Sequence, residues 1–181
     1  MLTVYSTTFR PPTTLFSAVA VGALSLRPGV GRLLRSAAQQ GLPQAIVTTS
    51  SRQAVQALLD QLIPDHRSCI QLWVCGEDVP RKKPDPAAYQ QALERLALPA
   101  DRVLALEDSG NGVAAAVAAG LTVLVTRSGS SAGESPAAFA AAAAELDHLG
   151  EPDQPLRVSR GPACPQGWVT LSYLQQLLPV R

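Results

Sequence analysis

Short apolar runs alternate along the chain with longer stretches in which apolar residues recur at helical spacing. Pro28 opens the first such stretch, with Val30, Leu33, Leu34, Ala37 and Ala38 on one face and Gly41 as its carboxyl cap. Ala45 to Thr49 (AIVTT) predicts a buried strand, and Ser50 or Ser51 can cap a helix over Arg52 to Leu62, where Val55, Leu58 and Leu59 recur at helical spacing. Gln71 to Cys75 (QLWVC) predicts a short third strand. Asp85 and Pro86 begin a helix running to about Leu96, and Val103 to Leu106 and Thr122 to Thr126 supply two further strands around a glycine- and alanine-rich helix. Pro136 to Leu146 predicts an alanine-rich helix, residues 151 to 168 an irregular segment, and Leu171 to Leu178 a last helix docked on the sheet. Regular alternation of strand and helix predicts an α/β fold: a three-layer, Rossmann-like parallel sheet with right-handed crossovers and helices on both faces.

Composition narrows the class. With 181 residues and 46% apolar content, the chain is long enough for one domain with a sizeable core. A formal charge of +1 and 4% aromatic residues offer neither a basic footprint nor a stacking platform, so nucleic acid is not an expected partner. Cys69, Cys75 and Cys164 form no CxxC pair, which speaks for a reducing compartment rather than a disulfide framework or a zinc site. The sixteen uncharged residues between Arg10 and Arg27 are too few to cross a bilayer comfortably. A monomer in the cytoplasm is expected, with a plastid address as the alternative because this stretch is acid-poor and rich in hydroxyls. The expected division is an atypical amino-terminal segment, residues 1–26, and a core domain, residues 27–181.

Three places carry candidate chemistry. The strand 103–106 stops at two adjacent carboxylates, Glu107 and Asp108, at the carboxyl end where open α/β sheets bind ligands; a hard cation such as Mg²⁺ takes oxygen ligands of this kind. Capping by Asp108 or Ser109 would account for the acids as well, but their mutual repulsion is one a cation would relieve, and Gly110 and Gly112 let the backbone approach a ligand. Thr49 and Ser50 place hydroxyls and amide groups at a helix amino terminus, which favours an anion and is equally an ordinary cap. Lys83, stiffened by Pro84 within GEDVPRKKPDPAAY, can project a point charge toward a phosphate or a carboxylate; a pair of solvated loop lysines is the alternative for Lys82 and Lys83.

Thr49, the KKPDP segment and EDSGNGVAAAVAAG together resemble motifs II, III and IV of haloacid dehalogenase-like phosphohydrolases, in the β-phosphoglucomutase/CbbY-like branch. RPGVGRLLRSAAQQG resembles the segment that leads from that family's cap into its core, and FAAAAAELDHLGEP with VTLSYLQQLL resembles its carboxyl end, so the likeness covers about Leu26 onward. The resemblance implies that Thr49 and Ser50 bind the transferring phosphoryl group, that Lys83 neutralises it, and that Glu107 and Asp108 hold Mg²⁺. The implied activity is that of a phosphatase or phosphomutase on small phosphorylated sugars, through an aspartyl-phosphate.

The chain departs from that pattern at its amino end. The family begins with Asp-x-Asp-Gly on the central strand, followed by a helical cap that selects the substrate, yet no Asp or Glu precedes Asp60 here. Without the attacking carboxylate an aspartyl-phosphate cannot form. Two expectations follow: a record truncated at its 5′ end, whose full product has the activity, or a remnant that binds phosphorylated ligands or a protein without turnover. Completion of the core by another chain is a third. Neighbouring strands lie about 4.8 Å apart, so loss of the central one leaves a gap in the sheet. Leu15 to Ala23 (LFSAVAVGA) is expected either to fill the gap as a strand or to lie as a helix on an incomplete sheet.

Overall fold

The computed structural model describes residues 2–5 and 25–180. Seven strands form one sheet: β1 Leu2–Tyr5, β2 Gln44–Val47, β3 Leu72–Val74, β4 Val103–Glu107, β5 Thr122–Thr126, β6 Ala144–Leu146 and β7 Val158–Arg160, in the order β3-β2-β1-β4-β5-β6-β7. Pairing is parallel from β3 to β6, and β7 closes the edge antiparallel. The main helices are α1 Val30–Gln39, α2 Arg52–Leu62, α3 Ala87–Leu96, α4 Gly110–Ala118 and α5 Leu171–Leu177. The α/β class and the parallel sheet are thus as the sequence predicts.

Leu2–Tyr5 takes the central position, with Tyr5 opposite both Ile46 of β2 and Leu106 of β4. The sheet is therefore continuous where a gap is expected from the sequence, but β1, with the sequence LTVY, brings no carboxylate to its centre. Leu15 to Ala23, the segment expected to serve as surrogate, lies outside the described residues.

Alternation along β4 assigns residues to the two faces. Val103 and Ala105 join the cluster packed under α3 and α4, with Val47, Val74, Ala88, Tyr89, Val113 and Ala116. Leu104 and Leu106 join the opposite cluster with Leu33 and Ala37 of α1 and Leu171 and Leu174 of α5. Val55 and Leu59 of α2 pack with Ile46 and Leu34 on that same second face. Continued by one step, the odd series delivers Glu107 to the face of α3 and α4.

Helix ends follow the expected chemistry. Ser51 rather than Ser50 caps α2, accepting from the Ala54 amide at 3.3 Å, and Ser109 rather than Asp108 caps α4, accepting from Gly112 at 3.2 Å. After α1, Gly41 adopts φ 64° while the Leu42 amide returns to the Ala37 carbonyl, the turn that glycine makes readily.

One helix expected from the sequence is corrected. Pro136 to Leu146 forms a 3-10 turn over Pro136–Phe139 and then strand β6, not an alanine-rich helix. Alanine's helix preference amounts to only a few tenths of a kcal/mol per residue over most other types, which pairing with an open sheet edge readily outweighs. The Ala143 amide bonds the Val123 carbonyl, Phe139, Ala144 and Leu146 are buried, and Arg160 of β7 satisfies the Phe139, Ala140 and Ala142 carbonyls. Within 151–168, expected to be irregular, β7 is the one regular strand.

Candidate functional site

The carboxyl ends of β2 and β4 are joined by Lys83, which arrives from the loop between β3 and α3. Its ammonium group donates to the Glu107 carboxylate at 2.7 Å, the Val47 carbonyl at 3.0 Å and the Tyr89 hydroxyl at 3.2 Å. All three are oxygen acceptors of the kind an ammonium group uses. The side chains of Lys83 and Glu107 are 1% and 0% exposed, so this is a buried ion pair rather than a surface one. Burial pushes the Lys83 pKa below its ordinary value, and the neighbouring charges of Glu107 and Asp108 pull it partly back. The reading of Lys82 and Lys83 as two solvated loop charges fails for Lys83.

Glu107 is held on one oxygen and bare on the other. Oε1 accepts from both Lys83 and the Tyr89 hydroxyl, whereas Oε2 is buried with no hydrogen-bond partner. Oε2 packs against Gly112, where a Cβ would stand 1.8 Å away. Glycine at this point of α4 therefore makes room for the carboxylate. The repulsion between the two acids, taken from the sequence as a reason for a cation, is already partly answered by Lys83.

Asp108 is half-buried just beyond β4, and its charge is felt by both Lys83 and Arg27. Arg27, which the sequence pattern did not single out, donates to the Thr126 carbonyl and hydroxyl at 2.8 and 3.0 Å, the Arg127 carbonyl at 2.7 Å and the Asp147 carbonyl at 2.6 Å. Each acid thus has a cation within electrostatic reach, Lys83 for Glu107 and Arg27 for Asp108.

Thr49 is half-buried and Ser50 buried in the turn between β2 and α2. Gly76 packs against this turn so closely that a Cβ would stand 2.4 Å from the Thr49 carbonyl oxygen, and the Gly76 amide bonds the Ser50 carbonyl. Several amides expected to receive an anion are already taken: Ser50 donates to the Thr48 hydroxyl, Ala54 to Ser51, and Arg52 to the Glu77 carboxylate at 2.9 Å. An incoming anion at Thr49 would displace or share these groups. Lys83 and Glu107 are thus brought into direct contact, and the Val47 carbonyl ties them to the end of β2, two residues before Thr49.

The sequence pattern does not single out Tyr89 either. It lies within the Lys83 segment and carries a hydroxyl on the core face of α3, beside Ala88 and Ala92. A buried phenol needs a polar partner, which was the signal available.

The donor set fits a hard divalent ion in one respect: Glu107 has an orphaned buried carboxylate oxygen, and a second acid, Asp108, follows it in the chain. Mg²⁺ is commonly held by one or two carboxylates with water and substrate phosphate completing the shell. Among the described residues no cluster of three or more His, Cys, Asp or Glu could hold a metal ion, so any ion on these two acids would take the rest of its shell from water and ligand.

Open parallel α/β sheets bind ligands at their carboxyl edge, and here that edge gathers a lysine, two acids and a hydroxyl-bearing turn. The family is then specific: residues 7–120 match the model of the haloacid dehalogenase-like hydrolases, and the chain belongs to that family. It is 40% identical over 158 residues to the plasmid CbbY protein of Cupriavidus necator, across 87% of this chain and 61% of that protein. It is 41% identical over 132 residues to a CBBY-like protein of Arabidopsis thaliana, across 72% of this chain and 40% of that one. The crystal structure of a point mutant of CbbY from Rhodobacter sphaeroides, in complex with xylulose-(1,5)bisphosphate, superimposes with a TM-score of 0.67 at 36% identity, covering 72% of this chain and 58% of that one. The chain thus spans less than two thirds of the length of these relatives. No helix among the described residues is long and apolar enough to cross a membrane.

Proposed function

We propose that this chain forms the phosphate- and magnesium-binding half of a phosphatase- or phosphomutase-type site for small sugar phosphates, and that as it stands it binds such ligands without turning them over. The observation that carries this reading is the buried Lys83–Glu107 pair at the carboxyl edge of the sheet, with Glu107 Oε2 unpartnered and Asp108 next in the chain. Glu107 and Asp108 would hold Mg²⁺, which when bound neutralises charge on phosphoryl oxygens. Thr49 and Ser50 would receive the phosphate, and Lys83 would add positive charge beneath it. The sugar bisphosphate bound to the Rhodobacter sphaeroides CbbY supports the substrate class. Absence of turnover rests on the central strand, which ends without a carboxylate, and on the lack of any acid before Asp60.

Calorimetric titration of inorganic phosphate with and without Mg²⁺, beside hydrolysis of p-nitrophenyl phosphate, tests both parts. Mg²⁺-dependent phosphate binding that Asp108→Ala removes, with no hydrolysis above that variant, is expected. Failure to bind phosphate with Mg²⁺ present would overturn the reading, and Mg²⁺-dependent turnover abolished by Asp108→Ala would overturn the part that denies catalysis.

A further inference from the structure

Tyr89 lies against Glu107 with 0% exposure, and its hydroxyl serves both charges of the buried ion pair. It donates to Glu107 Oε1 and accepts from the Lys83 ammonium group at 3.2 Å, while that group lies 4.6 Å from the centre of the tyrosine ring. Two donors therefore converge on Oε1, and none reaches Oε2. A carboxylate facing a single ammonium donor can turn to share both oxygens with it; a second donor fixed on one oxygen opposes that turn. Phenylalanine would fill the same volume, so packing alone does not call for the hydroxyl.

We propose that Tyr89 is a positioning residue for the cation site: its hydroxyl holds Glu107 on Oε1 so that Oε2, buried against Gly112, stays turned away from Lys83 and unpaired, the oxygen a divalent ion would take. This rests on the reading of Glu107 and Asp108 as cation ligands. Without the hydroxyl, Glu107 rotates to engage Lys83 through both oxygens, and Oε2 is withdrawn. A group that orients a metal ligand typically contributes about 10- to 100-fold in metal affinity.

Tyr89→Phe tests this, with Mn²⁺ alone as the probe, its binding followed by electron paramagnetic resonance, and with crystal structures of the metal-free protein and variant. The expected result is an Mn²⁺ dissociation constant raised at least about tenfold, with Glu107 Oε2 turned onto Lys83 in the variant. An unchanged Mn²⁺ affinity, or a Glu107 carboxylate that keeps its place, overturns the proposal. If the unmodified protein takes up no Mn²⁺, or Asp108→Ala takes it up equally well, the cation-site reading itself fails, and the position of Glu107 in the variant still decides whether Tyr89 holds it.

Discussion

Lys83 and Glu107 approach to 2.7 Å with both side chains essentially inaccessible, and the contact spans the carboxyl end of β1, which lies between β2 and β4. Backbone pairing holds each neighbouring strand to β1, and the Lys83 ammonium group links the two neighbours directly, through the Val47 carbonyl on β2 and Glu107 on β4. The same pair thus has a structural duty and a place in the candidate site.

Removing one partner leaves a buried charge uncompensated, which typically costs about 3–5 kcal/mol. Lys83→Met and Glu107→Gln should each show a loss toward that range in urea unfolding. The double variant Lys83→Met/Glu107→Leu should lose clearly less than the sum, because no lone charge remains inside. Single losses under about 1 kcal/mol would instead put the pair in the range of solvated surface bridges.

Two glycines should respond to the same substitution with opposite signs. Gly112 lies in α4, where alanine would ordinarily be the better residue by about 1 kcal/mol. Its Cβ would fall 1.8 Å from Glu107 Oε2, a buried atom tied through Oε1 to Lys83 and Tyr89, so Gly112→Ala should destabilise by about 1–3 kcal/mol. Gly31, in the first turn of α1, has its nearest neighbours at 3.6 Å, and Gly31→Ala should stabilise by up to about 1 kcal/mol. Thermal unfolding of both variants checks the contrast, and equal shifts would remove the steric argument at Gly112.

Much of this architecture was legible in local chemistry. The Arg52–Leu62 helix, the Gly41 turn and the strand ending at the acidic pair all follow from spacing and capping residues. Which acid is buried was also readable: Glu107 follows Val103 and Ala105 in period two. The partner that neutralises it depends on how a loop 24 residues earlier folds back, and no local pattern states that. β1 is not legible in the sequence because four residues, LTVY, carry too little pattern to stand out as a strand. The alanine run before β6 misled because its local preference is weak and a sheet edge supplied a stronger competitor.

Asp78 gives an acid-dependent prediction. The Cys75 amide at 2.7 Å, and then the Arg52 guanidinium at 2.5 Å, hold its carboxyl below the ordinary value of about 3.9, against the opposing effect of burial. Between the folded and unfolded pKa values the unfolded chain binds more protons, so the stabilisation is present above about pH 3.9 and is lost as pH falls through the folded value. Asp78→Asn should flatten the fall in unfolding free energy below about pH 4. Parallel acid limbs for the two proteins would count against this.

Arg27 separates charge from geometry. Its guanidinium joins Thr126 and Arg127, at and just after the end of β5, to Asp147, just after β6, through four hydrogen bonds of 2.6–3.0 Å. Its charge also acts on Asp108, while burial lowers its own pKa. Lysine would keep the charge but cannot reproduce a planar fork that reaches acceptors on two segments. Losing hydrogen bonds from a charged donor costs about 1.5–3 kcal/mol each, offset where water can replace it at this half-exposed position. If the fork dominates, Arg27→Lys and Arg27→Met should lose stability to a similar extent in urea unfolding, by about 2 kcal/mol or more. If attraction to Asp108 dominates, the lysine variant should retain most of the wild-type stability, and adding 1 M salt should bring the unmodified protein toward the methionine variant. The short distances to three backbone carbonyls favour the first outcome, because those dipoles stay in place whatever the state of Asp108.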